Sequence, residues 1–290
     1  MHGEAAVKDF SRVLQATVAA LLIGSLGVAV YALYELGQRV RPDIAGIVWQ
    51  PDNATVGIQG EWDKLGAHEL LVQWTAVDGQ AFVPGSGLPE VPVLPDWQRI
   101  AREPWAREVI VGLAGFFSEN RSRDNIEELA TLSERMAQVK TPLNVTGWYF
   151  PAEVDPSWSR ARELPALLAK LPRPLWISVY DGANIGPQAT AEWLAEWLPG
   201  DIGVFFQDGV GVYARTAPVA RTYADALRER LGSQRVKIIA EAFRPQVGGG
   251  FRPATLEELK PQLNAYAGYP IYLFDGPHYV TPELVHGLAP

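Results

Sequence analysis

From residue 42 onward, short apolar runs alternate with longer stretches in which apolar residues recur every three or four positions, the rhythm of a strand followed by a helix. Runs rich in Val, Ile, Phe, Trp and Tyr predict strands at 46–50, 70–76, 109–116, 143–150, 175–180, 203–207, 236–240 and 271–274. Between them, amphipathic stretches predict helices at 123–139, 160–171, 190–198, 217–232 and 255–266. Thr255 followed by Glu258 makes a capping box ahead of a stripe at Leu256, Leu259 and Leu263. Gly232, just past Leu231, is placed where a left-handed C-cap belongs. Strands apolar on both faces need helices to cover them, and eight such units in about 250 residues match a closed (β/α)8 TIM barrel of the α/β class. A doubly wound sheet is the rival. Against it, no GxGxxG follows the first strand, and the glycine runs at 209–212 and 248–250 do not open helices.

The first 41 residues follow a different pattern. Residues 13–34, VLQATVAALLIGSLGVAVYALY, hold no charge and are long enough to cross a bilayer, which takes about 20 apolar residues. They predict a single transmembrane helix, with a cleaved secretory signal ending near Val30-Tyr31-Ala32 as the alternative. Lys8 and Arg12 before the segment balance Arg39 and Arg41 after it, so charge alone does not orient it. Because short N-terminal tails usually stay in the cytoplasm, the expected arrangement is a tail and anchor over 1–41, in the bacterial inner membrane, and a barrel over 42–290 in the periplasm.

Composition narrows the chemistry. A net charge of −8 without a cationic cluster argues against a partner that is nucleic acid. The absence of cysteine removes disulfides and thiolate metal sites. Four histidines, at 2, 68, 278 and 286, show no metal-ligand spacing, which argues against a metal-dependent amidohydrolase, and neither cofactor nor metal is expected. A cation site from Asp181, Asp208 and Asp275 has only hard oxygen ligands in its favour. The ten tryptophans can fill a core or stack on sugar rings.

In barrels of this kind the reacting groups stand at the C-terminal strand ends. Acids occupy all eight: Asp52, Asp78, Glu119, Glu153, Asp181, Asp208, Glu241 and Asp275. Turn and helix-start preferences account for any single one of them. Two stand out. Glu153 lies among aromatics and prolines in GWYFPAEVDPSW (147–158), and Glu241 follows the apolar run KIIA, where a charge is costly unless a partner such as Arg244, or a function, offsets it. The irregular stretch VPGSGLPEVPVLP (83–95) reads as a wall of the cleft.

Glutamates ending the fourth and seventh strands resemble the layout of the large clan of retaining glycoside hydrolases that includes many cellulases, mannanases and β-galactosidases. More closely, GWYFPAEVD (147–155), FFQDGVGV (205–212) and AEAF (240–243) resemble an uncharacterised bacterial family of glycosidase-like barrels, known only as a domain of unknown function. The resemblance spans roughly residues 46–279. It implies Glu153 as general acid/base and Glu241 as nucleophile, with Gln50, Gln73, Trp74, Trp148, Tyr149, Tyr180, Gln207, Asp208 and Asp275 lining sugar subsites and His278 beside them. Ala152 and Phe274 stand where the large clan has Asn and Trp. The expected function is a membrane-anchored hydrolase of the retaining type whose partner is a bacterial polysaccharide or exopolysaccharide. The alternative is a non-catalytic, glycan-holding subunit that works with polysaccharide synthesis or export proteins.

Overall fold

The computed structural model describes residues 42–289, and eight parallel strands close into a ring within them. These are β1 (Asp43–Trp49), β2 (Glu69–Val72), β3 (Glu108–Gly112), β4 (Val145–Val154), β5 (Leu175–Val179), β6 (Ile202–Gln207), β7 (Val236–Glu241) and β8 (Pro270–Phe274). Each strand pairs with its neighbour in the chain, and β8 pairs with β1 to complete the barrel. The surrounding helices include α1 (Glu119–Asp124), α2 (Ile126–Met136), α3 (Leu164–Leu168), α4 (Pro187–Ala195), α5 (Ala217–Leu231), α6 (Leu256–Ala265) and α7 (Pro282–Leu288). The predicted membrane anchor at 13–34 lies outside the described residues. Among the described residues no helix is long and apolar enough to cross a membrane.

The two-residue period of each strand divides the core. Val48, Leu71, Ile110, Tyr149, Phe205, Ile239 and Tyr272 form the layer inside the ring. Their sequence neighbours, among them Ile47, Leu70, Val109, Phe150, Phe206, Ile238 and Leu273, face the helices. Near the N-terminal strand ends, Lys237 Nζ lies 2.9 Å from Glu69 and 4.8 Å above the Trp176 ring, and Tyr272 bonds both charges. That plug satisfies a charge pair which would otherwise be expensive inside a barrel, and it leaves the opposite end open for chemistry.

Several elements depart from the pattern read along the chain. The predicted strand 143–150 runs on to Val154, because a bulge between Phe150 and Glu153 accommodates Pro151, which has no N–H for the ladder. The predicted strand 109–116 stops at Gly112, and Ala114–Gly115 instead joins Ala76–Val77 and Gln80–Ala81 in a small sheet. The predicted helix 123–139 is two helices, α1 and α2, broken at Asn125 with φ −118° and ψ 38°. The capping box of Thr255 and Glu258 opens α6 as the pattern requires. Gly232 has φ 101° but ψ 146°, so it ends α5 in an extended rather than a left-handed helical conformation.

Candidate active site

The bulge in β4 decides the height at which Glu153 stands. Strand alternation already puts Glu153 on the inward face of Tyr149, four residues before it; Phe150 pairs with Ile177 and the next pairing is Glu153 with Ser178, so the two extra residues bring Glu153 level with Ser178 at the cavity. Gln207, at the end of β6, donates from Nε2 to Glu153 Oε2 at 2.7 Å. Arg123 donates to the Glu153 carbonyl through Nε at 3.2 Å and Nη2 at 3.0 Å, and Nη2 lies 3.7 Å from Oε1. Glu119 Oε1 accepts the Glu153 backbone N–H at 2.8 Å and lies 3.3 Å from Arg123 Nε. Both main-chain polar groups of Glu153, and its carboxylate, are therefore held by named side chains. Burial pushes the Glu153 carboxyl above its ordinary range, with Arg123 and Gln207 opposing the rise. Burial and then repulsion from Glu153 push Glu119 up to about 7.

Glu241 ends β7 two residues beyond inward-facing Ile239 and shares its face. The backbone N–H of Val212 donates to its Oε2 at 3.2 Å, and the N–H of Gly211 beside it also works to lower the carboxyl. A Cβ on Gly211 would stand 2.6 Å from Glu241 Cβ and 2.9 Å from its Oε2, so only glycine lets this loop reach the carboxylate. Gly209, two residues earlier, needs glycine for its φ of +63°. The QDGVG sequence is thereby explained: one glycine turns the loop and the next lets it close on Glu241. Burial and then the charge of Asp208 push Glu241 up to about 8; the two N–H donors oppose this, and Glu153 adds to it. Arg244 is no ion-pair partner here, since its Nη1 donates to the carbonyl of Glu241 at 3.2 Å and its Nη2 to Gln262 Oε1 at 2.7 Å.

A cavity of about 90 Å³ opens between these strands, lined by Gln73, Glu119, Tyr149, Pro151, Glu153, Ser178, Gln207 and Phe274 over a floor of Val48, Leu71 and Ile239. Of the residues predicted to line a sugar site, it gathers Gln73, Tyr149 and Gln207. Tyr180 stands near by: the charges of both Glu241 and Glu153 raise its phenol, after burial, and Arg215 lies 4.9 Å over its ring. Gln50 meets the cluster only through its backbone N–H, 3.4 Å from Asp275 Oδ2.

The remaining predicted residues serve elsewhere. Trp148 neighbours inward-facing Tyr149 and by strand alternation packs against the helix-facing core. Trp74 is 3% exposed and donates its indole N–H to the Pro51 carbonyl at 2.9 Å. Asp208 is fully buried behind Glu241, accepting from Gln262 at 2.5 Å, Tyr266 at 2.8 Å and the Glu241 N–H at 3.2 Å. Asp275 is buried against His278 Nδ1 at 2.7 Å, and burial pushes it up to about 6. Asp181 is taken up by the N–H groups of Ile185 and Gly186 and the Tyr223 hydroxyl, so Asp181, Asp208 and Asp275 do not assemble as a cation site. No residue of the 83–95 stretch lines the cavity; Val83 and Val91 are buried, and Val91 N bonds Ala81 O at 3.0 Å.

Glu119 carried a weak signal, because an acid in the first turn of a helix is explained by capping alone. Its i,i+4 spacing from Arg123 was the available clue. Ser178, which lines the cavity with Tyr149, had none, being a small polar residue inside a buried strand.

Residues 59–285 match the model of a family described as Domain of unknown function (DUF4434). No curated protein matches the chain. Among solved structures, a candidate alpha-L-fucosidase from Bacteroides thetaiotaomicron is similar, with a TM-score of 0.56 and 16% identity over 86% of this chain and 92% of that one. The PgaB (BpsB) glycoside hydrolase domain from Bordetella bronchiseptica is similar with a TM-score of 0.53 and 12% identity, over 84% and 98% of the two chains. At these identities the likeness is one of fold, a glycosidase-like barrel.

Proposed function

Starting from the chain's membership of the DUF4434 family, we propose that it is a glycoside hydrolase, of the retaining type, acting on a bacterial polysaccharide or exopolysaccharide. The observation that carries this reading is the pair of largely buried carboxyls, Glu153 lining the cavity from β4 and Glu241 on the inward face at the end of β7, where the charge of Glu153 reaches it. The glycosidase-like fold supports it.

Glycoside cleavage needs one protonated and one ionised carboxyl flanking the bond. Burial raises both carboxyls, and Asp208, then Glu153, raise Glu241 further. The backbone N–H groups of Gly211 and Val212 cannot turn away and oppose the rise of Glu241 to about 8, so its ionised, nucleophilic form gains ground as the pH approaches that value. The Gln207 amide can rotate and present its oxygen to a protonated Glu153. In the proposed reaction Glu153 gives its proton to the glycosidic oxygen as the C1–O bond breaks and a Glu241 oxygen bonds C1. A water then enters, Glu153 takes one of its protons, and its oxygen displaces Glu241 from C1 with retained configuration. Gln73 Oε1, buried and without a partner among the described residues, suits a sugar hydroxyl donor. Residues 13–34 would hold the barrel to the inner membrane on its periplasmic side.

The test is a screen of the full-length protein against bacterial exopolysaccharides with reducing-end detection, repeated with Glu153→Gln and Glu241→Gln. Turnover lost in both variants, with the first-formed anomer retained by NMR, is the expected result. Wild-type turnover in either variant refutes the assignment. Binding of glycans by the wild type without any new reducing end favours instead a non-catalytic subunit of a polysaccharide synthesis or export assembly.

A further inference from the structure

Large aromatic side chains stand in solvent on two sides of the cavity mouth. On the β3 side Phe117 is 72% exposed, two residues before Glu119, and its ring meets Trp74 edge-on at 6.3 Å. Trp74 and Pro151 both border Gly115, and Pro151 lines the cavity, so Phe117 sits at the edge of the site. On the other side Tyr213, in the loop that follows β6 and leans on β7, is 63% exposed and directly follows Val212, whose N–H holds Glu241. Its φ of 59° places a bulky residue in the left-handed region, a strained backbone conformation. Phe251, 44% exposed, lies on the hairpin Phe243–Pro245/Phe251–Pro253 that follows β7. It packs edge-on against Phe243 at 4.6 Å, and Phe243 lies 6.2 Å from Phe274, which lines the cavity.

In a closed ring of eight strands, β3 and β7 are four places apart and therefore opposite. The exposed aromatics thus lie across the mouth from one another, with the carboxyls between them. A protein or lipid surface seeks a continuous apolar patch. Here two apolar platforms are separated by acids and amides, which matches a polymer whose rings have an apolar C–H face and a hydroxyl rim. We propose that Phe117 on one side, and Tyr213 with Phe251 on the other, are sugar-stacking platforms, so that the site takes an internal stretch of a polysaccharide and cuts between them rather than at a chain end. This rests on the glycan-cleaving reading of the same site and adds its mode of attack.

The experiment has a binding arm and a cleavage arm. In the first, full-length Glu153→Gln protein is run in native gels containing each polysaccharide of the exopolysaccharide panel, with and without Phe117→Ala or Tyr213→Ala. In the second, an otherwise wild-type protein carrying the same aromatic substitutions is assayed on any polymer the wild type cuts, with product sizes followed by size-exclusion chromatography. Retardation that weakens about 3- to 10-fold in each aromatic variant, as expected for the loss of about 0.5–1.5 kcal/mol of stacking, together with an early collapse of polymer length, supports the proposal. The thermal midpoint should not move, because these side chains are exposed. Release of short sugars from a chain end, or retardation and cleavage unchanged in the variants, overturns it while leaving the hydrolase reading intact. Retardation that needs the aromatics, without cleavage by the wild type, keeps the platforms but removes the hydrolase. No retardation of any panel polymer, or self-association that the substitutions abolish, overturns the platforms.

Discussion

Replacing Glu241 by glutamine should make the folded chain more stable in alkaline solution and leave its stability near pH 4.5 almost unchanged. In the unfolded chain this carboxyl titrates near 4.5, whereas burial and Asp208 push it up to about 8 in the barrel. Below about pH 4.5 both states hold the proton and the residue costs nothing. Between the two values the folded state keeps a proton that the unfolded state has released, so stability falls as pH rises, and the loss is complete above about 8. At about 1.4 kcal/mol per pH unit the rise corresponds to at most about 5 kcal/mol. Part of it is relieved when Asp208 shares the charge, which leaves about 2–5 kcal/mol. Glutamine has the same shape and cannot ionise, and its Oε1 can still accept from Val212. For a domain of this size each kcal/mol moves the midpoint by about 2–4 °C, so the variant should gain on the order of 10 °C at pH 9. Thermal unfolding of both proteins at pH 5, 7 and 9 reads the difference without knowledge of any substrate. A difference that does not change with pH, or a variant less stable than wild type at pH 9, refutes the claim that Glu241 is held in an environment that resists its charge.

Gly211→Ala should slow turnover about 100-fold, because a methyl 2.6 Å from Glu241 Cβ displaces the carboxylate by about 1 Å; it should also lower the thermal midpoint by the about 1–3 kcal/mol of an overpacked site, and wild-type kinetics would contradict the close approach. Arg123→Gln removes the cation that opposes the rise of Glu153 and Glu119, so the alkaline limb of the pH–rate profile should move upward, and an unmoved or lowered limb would show that Arg123 does not act on this pair. Phe205→Ala should cost about 3–5 kcal/mol in chemical denaturation, since the ring fills the layer between the plug and the cavity, 4.9 Å from Tyr272 and 5.2 Å from Trp176. A smaller loss would mean that the barrel interior collapses around the gap.

What the sequence determined by itself was periodic. Alternating apolar runs such as KIIA and FFQ, with capping signals such as Thr255 and Glu258, mark strands and helices because side-chain period and end chemistry are local properties. Eight acids at eight strand ends were equally visible, and so was the apolar setting of Glu241. Local pattern could not say which of those acids would share one space. Only tertiary structure separated them, through the direction each strand gives its last side chain. Gln207 turns in and Asp208 turns out to α6, and Tyr149 faces the cavity while Trp148 faces the helices. The bulge at Pro151 was unreadable in advance for the same reason: a bulge exists only against a partner strand, and the register of β4 on β5 aims Glu153 beside Gln207 and Glu119. Chain chemistry supplied the acids; closure of the ring selected the pair.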